Sequence, residues 1–482
     1  MARSHARLVA SPLAAAGLLL TAIGLVAAAG PVPPQRPPTA RAVAAAPPAP
    51  TQKPDDTFTM ALTGDSIITR KLSVYAEPAY TRMIELLRGA DVAFTNLEML
   101  FHDYEPWAMN EGGGTYMRAD PALAQELVWA GFDMVSRANN HTGDYGVLGM
   151  RLTTQHTAKA GLVQAGVGES LAEAREAKFL ETARGRVALV SVASTFPDHA
   201  RAGRTRGDMP ARPGLNPLRF TTTYLLPRDQ FEAMRSTFRG AGVNLPASGD
   251  GFSALGNRFA VGDKPDVRTE ARKEDLAGNA GVVRNAAALA DYVIVSMHGH
   301  ENYRNRTVPA QFQVEFARAM IDAGADVVVG HGPHVLRGVE IYKGKPILYS
   351  VGDFIFQNDT LQRLPSENYE PYDLGPDAHV NDFNDRRYDF DKRGFPADRE
   401  IWEGVVAVPR WQGRALVDLR LYPVTLGFQT PRTVRGRPML AEGDAAKKII
   451  GDLVRMSAPF GTIIEALSGV AVVRVPGEGR RP

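Results

Sequence analysis

No cysteine occurs in the chain. Its absence excludes a disulfide scaffold, a thiolate metal site and a lipid-modified cysteine anchor, so any metal here must be held by oxygen and nitrogen ligands. Charge of one sign is equally lacking: 55 basic residues against 53 acidic ones leave a formal charge of +2. With no basic run interleaved with aromatics, nucleic acid is not a partner. Internal repeats are missing as well. What remains is 482 residues with 44% hydrophobic content, enough for one large α/β domain with insertions or for two domains.

The N-terminus is the one place with a long apolar run. Arg3 and Arg7 precede an uncharged stretch from Leu8 to Gly30, the pattern of an export signal. The stretch also reaches the roughly 20 residues that span a bilayer, so residues 1–30 are a cleaved signal peptide or a retained membrane anchor. Either places the protein in the cell envelope, membrane-anchored or secreted/periplasmic. Residues 31–56 are rich in proline and alanine and read as a stiff, extended tether.

From Thr57 the chain alternates short apolar runs with helical patterns. FTMALTG, DVAFTNLE, FDMVSRANNH, RVALVSVAS, DYVIVSMHGH and DVVVGH read as strands; Pro78–Arg88, Pro121–Ala130, Gly146–Ala160 and Gln311–Ala323 read as helices. This alternation predicts a mainly parallel, layered α/β fold over residues 57–430. Residues 196–281, rich in Pro, Gly and Arg with one helix at Arg228–Phe238, are expected to be an insertion. Residues 338–354 read as a hairpin turning at Lys343-Gly344-Lys345, and Asn358–Glu400, which lacks periodicity, as a surface excursion. Residues 431–482 read as a helical extension.

Five polar clusters follow directly after strand-like runs, where open α/β sheets place their sites. Gly64-Asp65 offers a carboxylate at a tight turn, able to ligate or bridge divalent ions, or simply to cap a helix. Asn96 and Glu98 lie two residues apart and so on one side of their strand; they suit an oxygen shell or a salt bridge. In Asn139-Asn140-His141 an amide can ligate while the imidazole acts as general acid, with Asp144 fixing its tautomer; a capping turn is the alternative. His298, His300 and Glu301 leave the core together, with a core histidine bonded to a backbone carbonyl as the alternative; His331 and His334, three apart around Pro333, can aim both imidazoles at one site as metal ligands, with solvent-exposed loop histidines as the alternative. Half of the ten histidines fall in these clusters.

In order and spacing TGDSI, NLE, ANNHTGDYG, VSMHGHENY and GADVVVGHGPHVLRGVEIYKGKPILYSVGDF closely resemble the bacterial capsule synthesis proteins of the CapA type, also called poly-gamma-glutamate synthesis proteins. The resemblance covers roughly residues 57 to 357, with weaker support from Pro213-Gly214-Leu215-Asn216-Pro217. It implies a fold similar to calcineurin-like metallophosphoesterases, a four-layer α/β/β/α sandwich holding one or two divalent ions (Mn, Fe, Zn or Mg). Carried over residue by residue, it implies Asp65 as bridging carboxylate, Glu98 where an Asp usually lies, Asn140 on the second ion, and His298, His331 and His334 completing the shells. His141 would be the catalytic acid, leaving Asn96, Asn139, His300 and Glu301 to face substrate; Arg137, Arg219 and Arg337 are candidates for an anionic ligand, though surface arginine is the commoner role. One departure matters: the superfamily's first motif is Asp-x-His, and here Ile67 stands at the histidine position. One metal position is therefore expected to be depleted or weakly filled.

The resemblance leaves two functions open. One is an exported hydrolase cleaving a phosphoester or related bond in envelope or capsule polymer metabolism. The other is a non-catalytic accessory that binds metal and an anionic polymer for a membrane capsule synthase.

Overall fold

The computed structural model describes residues 57–475; the expected export segment 1–30 and tether 31–56 lie outside the described residues. Among the described residues no helix is long and apolar enough to cross a membrane.

Six strands carry residues to the site: β1 (Thr57–Ile67), β2 (Val92–Leu97), β3 (Met134–Ser136), β4 (Tyr292–His298), β5 (Val327–His331) and β6 (Asp353–Phe356). In a ten-stranded sheet β1 lies between parallel β2 and antiparallel Glu403–Gln412, with β3 beyond β2. β6 joins the C-terminal end of β1, also in parallel. A second sheet of six strands has β4 paired in parallel with β5 on one side and Gly185–Ala193 on the other.

The period-2 alternation of strand side chains builds the layers. Along β1, Met60 and Leu62 enter the apolar cluster shared by the two sheets, whereas Ala61 joins Tyr80, Met83, Ile84 and Leu87 of the helix Pro78–Gly89. Along β4, Ile294 belongs to the inter-sheet cluster, whereas Val293 and Val295 meet Val283 and Ala286 of Lys273–Leu289 and Phe312 and Phe316 of Gln311–Asp322. Helix, sheet, sheet and helix thus stack as the α/β/β/α sandwich that the resemblance implied.

Three segments differ from expectation. Residues 196–281 were expected to hold one helix, but the stretch contains a four-stranded sheet of Gly251–Ala254, Asn257–Val261, Phe220–Leu226 and Asp266–Ala271 beside the helix Arg228–Gly240. Phe220–Leu226 is partly exposed along its whole length, so it has neither the alternation nor the apolar run that marks a strand. The stretch also overlaps the sandwich helix Lys273–Leu289, whose Gly278 and Gly281 weaken its helical signal. A Cβ at Gly278 would meet the Arg175 guanidinium, which would have to shift. Asn358–Glu400 is more than a surface excursion: its helix Val380–Tyr388 buries Val380, Phe383 and Tyr388, and Phe395 packs edge-on to His334. The expected helical extension 431–482 has one helix, Gly443–Ser457, but also a hairpin, Ile464–Leu467 with Val470–Val473, that adds to the edge of the first sheet.

His102 is a buried histidine outside the strand-end clusters. His102 accepts the Tyr104 N–H at Nδ1 (3.0 Å), and its Nε2 has no hydrogen-bond partner. Burial, reinforced by the Arg118 charge, pushes its pKa down to about 4, so the native state holds it neutral. An unfolded histidine titrates near ~6.5. The native state therefore resists protonation, and stability present above that pH is lost as pH falls toward 4. Urea midpoints of wild type and His102→Gln measured between pH 7 and 4.5 are expected to converge toward the acid end; a constant gap would show that His102 does not titrate in this window.

Candidate metal centre

The C-terminal ends of the two sheets meet at Asp65. Asp65, at the end of β1, is cross-strand partner to Asn96 of β2, whose Nδ2 donates to its Oδ1 at 2.7 Å. Its Oδ2 accepts the Gly332 N–H at 2.8 Å. On the other sheet His298 and His331 close β4 and β5 as register partners. Their Nδ1 atoms lie 3.0 Å apart, and Asp65 Oδ1 is 3.7 Å from the first and 3.3 Å from the second. Two nitrogens on one ion at ~2.1 Å each stand about 3.0–3.4 Å apart, so these three atoms are spaced as ligands of one cation. Ser296 Oγ sits 2.7 Å from His331 Nε2, occupying the far nitrogen as outer partners of metal-bound imidazoles do.

Two further groups adjoin this one. Glu98, His300 and His334 can each direct one ligand atom to a common point, and so can Asp65, His334 and Asp353. His300, expected to face substrate, is thus also placed to offer a ligand atom, its Nε2 3.1 Å from His298 Nε2. Asp353 was not singled out in the sequence. The signal was present all the same: Gly352-Asp353 repeats Gly64-Asp65 just after an apolar run.

The electrostatics point the same way. Both carboxylate oxygens of Glu98, Asn140 Oδ1 and Asp353 Oδ2 are buried without a hydrogen-bond partner. A buried unsatisfied group costs about 1–3 kcal/mol, more when charged. Burial, then the charges of Asp65 and Asp353, hold the Glu98 carboxyl well above the usual range. Burial likewise lifts Asp353 to about 6, lowers His298 to about 4 and, with the charges of His298 and His334, holds His300 well below the usual range. At His334 burial works downward too, but the charge and hydrogen bond of Asp353 outweigh it and raise this imidazole to about 9. Acceptors outnumber donors, and a divalent cation supplies what they lack. The residues fit such an ion.

His141 stands beside this centre. It sits in the 3-10 turn Asn140–Gly143, which Asn139 caps by accepting the His141 N–H at 3.1 Å while its own N–H donates to Thr142 Oγ1. His141 Nδ1 lies 2.7 Å from Asp144 Oδ2, and Asp144 also accepts the N–H groups of Gly113 and Met117, each at 2.8 Å. The carboxylate therefore accepts a hydrogen bond from Nδ1–H and leaves Nε2 facing Glu98 at 3.8 Å.

Several residues expected to face substrate are engaged within the protein. Asn139 Oδ1 caps the turn and its Nδ2 donates to Leu97 O, while Asn96 holds Asp65. Glu301 is drawn away by Ser194 Oγ and Thr195 Oγ1 at 2.6 and 2.8 Å. The three arginines are engaged too: Arg137 donates to Gln164, Arg219 forms a two-point pair with Asp275, and Arg337 donates to Gln313 and to the carbonyls of Arg306 and Glu301. Ile67 is buried in the outer apolar cluster of the first sheet and offers no ligand.

Fold and side chains together define a layered α/β sandwich with a candidate metal-binding centre where its two sheets end. The chain belongs to the bacterial capsule synthesis protein family PGA_cap, whose model matches residues 59–358. The uncharacterized protein y4sH of Sinorhizobium fredii is 39% identical over 87% of this chain and 94% of its own length. The PGA biosynthesis protein CapA of Bacillus subtilis is 29% identical over 63% of this chain and 64% of its own. Among solved structures, the NAD nucleotidase of Haemophilus influenzae aligns at 9% identity over 83% of this chain and 56% of its own, with a TM-score of 0.29, too low to add to the fold argument.

Proposed function

We propose that this is an exported CapA-type protein whose centre hydrolyses a phosphoester or related bond in capsule or envelope polymer metabolism, as a divalent-metal-dependent, metallophosphoesterase-like hydrolase. The observation that carries the reading is the His141–Asp144 pair beside a cluster of candidate ligands whose Glu98, Asp353 and Asn140 oxygens are buried without a partner. Asp65, Glu98, Asn140, His298, His300, His331, His334 and Asp353 would hold the metal. Bound divalent ions supply Lewis-acid polarisation of a phosphoryl oxygen and a water of lowered pKa.

The chain's own residues supply the proton. Asp144 keeps the imidazole in the tautomer protonated at Nδ1 and stabilises the imidazolium. In that cationic form His141 Nε2–H gives its proton to the leaving alkoxide as the P–O bond breaks. A histidine held this way has no evident use in polymer binding alone, which favours turnover over the accessory role.

Elemental analysis of protein loaded with Mn or Zn, together with hydrolysis of bis(p-nitrophenyl) phosphate and p-nitrophenyl phosphate, tests this. The expected result is retained metal and hydrolysis that EDTA abolishes and metal restores. Protein that takes up neither ion overturns the reading; protein that holds metal but cleaves neither ester supports the accessory role.

A further inference from the structure

The resemblance implies a histidine where Ile67 stands, and a neighbouring strand brings a further carboxylate to Asp65. β6 lies against the end of β1 with Asp353 as direct register partner of Asp65. The two Gly-Asp pairs abut there, for a Cβ on Gly64 would overlap the Gly352 carbonyl, and Gly352 itself has φ +73°. The pairing then slips, Ser66 facing Ile355, so a bulge falls directly after the two aspartates. Bulges of this kind re-aim side chains beside sites.

Asp353 is buried, with Oδ1 2.8 Å from His334 Nδ1 and Oδ2 without a partner. The same His334 nitrogen is 3.7 Å from Asp65 Oδ2. His334 adopts φ +55°, a left-handed conformation that a non-glycine residue holds only where its surroundings enforce it, typically at functional sites. A carboxylate present only to orient His334 would need one oxygen. The second, aimed into a buried site and unbonded, points to a ligand.

We propose that Asp353 stands in for the absent histidine, so that the centre holds two divalent cations, one on Asp65, His298 and His331 and one on Asp65, His334 and Asp353. The proposal rests on the reading of the centre as metal-binding. Two imidazoles and a carboxylate make the first position the softer; two carboxylates and an imidazole make the second the harder, suited to Mn or Mg.

Mn uptake by the full chain, measured by elemental analysis and by electron paramagnetic resonance, tests it without recourse to activity. Wild type is expected to bind two equivalents and to show the exchange-coupled signal of a Mn pair. Asp353→Asn, close in shape, is expected to bind one equivalent and show the six-line signal of isolated Mn. His331→Ala is expected to lose one equivalent from the other position, and the double variant both, with circular dichroism confirming that each is folded. Two equivalents at unchanged affinity in folded Asp353→Asn would overturn the proposal, as would one equivalent in wild type that survives Asp353→Asn; both outcomes leave a metal centre standing. Wild type that binds no Mn overturns the proposal and the metal reading together.

Discussion

Replacing His141 by alanine is expected to lower kcat for a phosphodiester by about 10²–10⁴-fold, the usual worth of a positioned general acid, with metal content unchanged. His141 contributes no atom to the three ligand groups, and its position is fixed by its own turn and by Asp144, itself anchored by two backbone N–H groups. Removing the imidazole should therefore leave the carboxylate and histidine ligands where they are. The loss should depend on the leaving group. A nitrophenolate departs readily without a proton, whereas an alkoxide does not, so the deficit should be far larger for an alkyl ester. Asp144→Asn should lower kcat in the same pattern by a smaller factor, because it spoils the tautomer without removing the ring. Equal losses on both esters, or loss of metal in His141→Ala, would assign His141 a structural role instead.

Most of this centre was legible because strand ends are legible. YVIVSM and VVVG are apolar enough to mark buried parallel strands, so His298 and His331 could be placed at one sheet edge from sequence alone, and register then makes them partners. Adjacent residues of one type were harder. Asn139 and Asn140 are indistinguishable in the sequence, yet the first spends its side chain on a cap and on Leu97 O while the second keeps Oδ1 unbonded. That difference arises from the turn's backbone, which no composition reveals. Asp353 was overlooked because it closes a stretch read as a hairpin, and its meaning depends on β6 lying beside β1, a pairing between residues nearly three hundred positions apart. His300 lies past the last residue of β4, His298, where strand alternation no longer fixes the direction of a side chain. The cover formed by residues 358–400 went unread since it packs through isolated aromatics such as Phe383 and Phe395 rather than through a periodic face.

Gly64→Ala is expected to destabilise the fold by about 3 kcal/mol, the upper end of overpacking costs, and to abolish metal uptake with it. The added Cβ would overlap a backbone carbonyl, that of Gly352, with Val351 Cγ2 a further 3.2 Å contact. A flexible side chain could swing aside; a carbonyl in the β1–β6 pairing cannot, because it accepts the Asp65 N–H (3.4 Å) and its residue packs in turn against Glu403 and Gly404. Relief requires the two strands to part, and parting them separates Asp65 from Asp353. Stability and metal binding should therefore fall together, which distinguishes this site from a simple core defect. Gly89→Ala is the control: it ends the helix Pro78–Gly89, nothing lies within 4 Å of its added Cβ, and alanine there should be neutral or stabilising by up to ~1 kcal/mol. Urea midpoints and Mn content measured on both variants decide the matter. A Gly64→Ala protein with the wild-type midpoint and wild-type metal would show that β6 does not rest against β1, and with that contact the assignment of Asp353 to the centre would go.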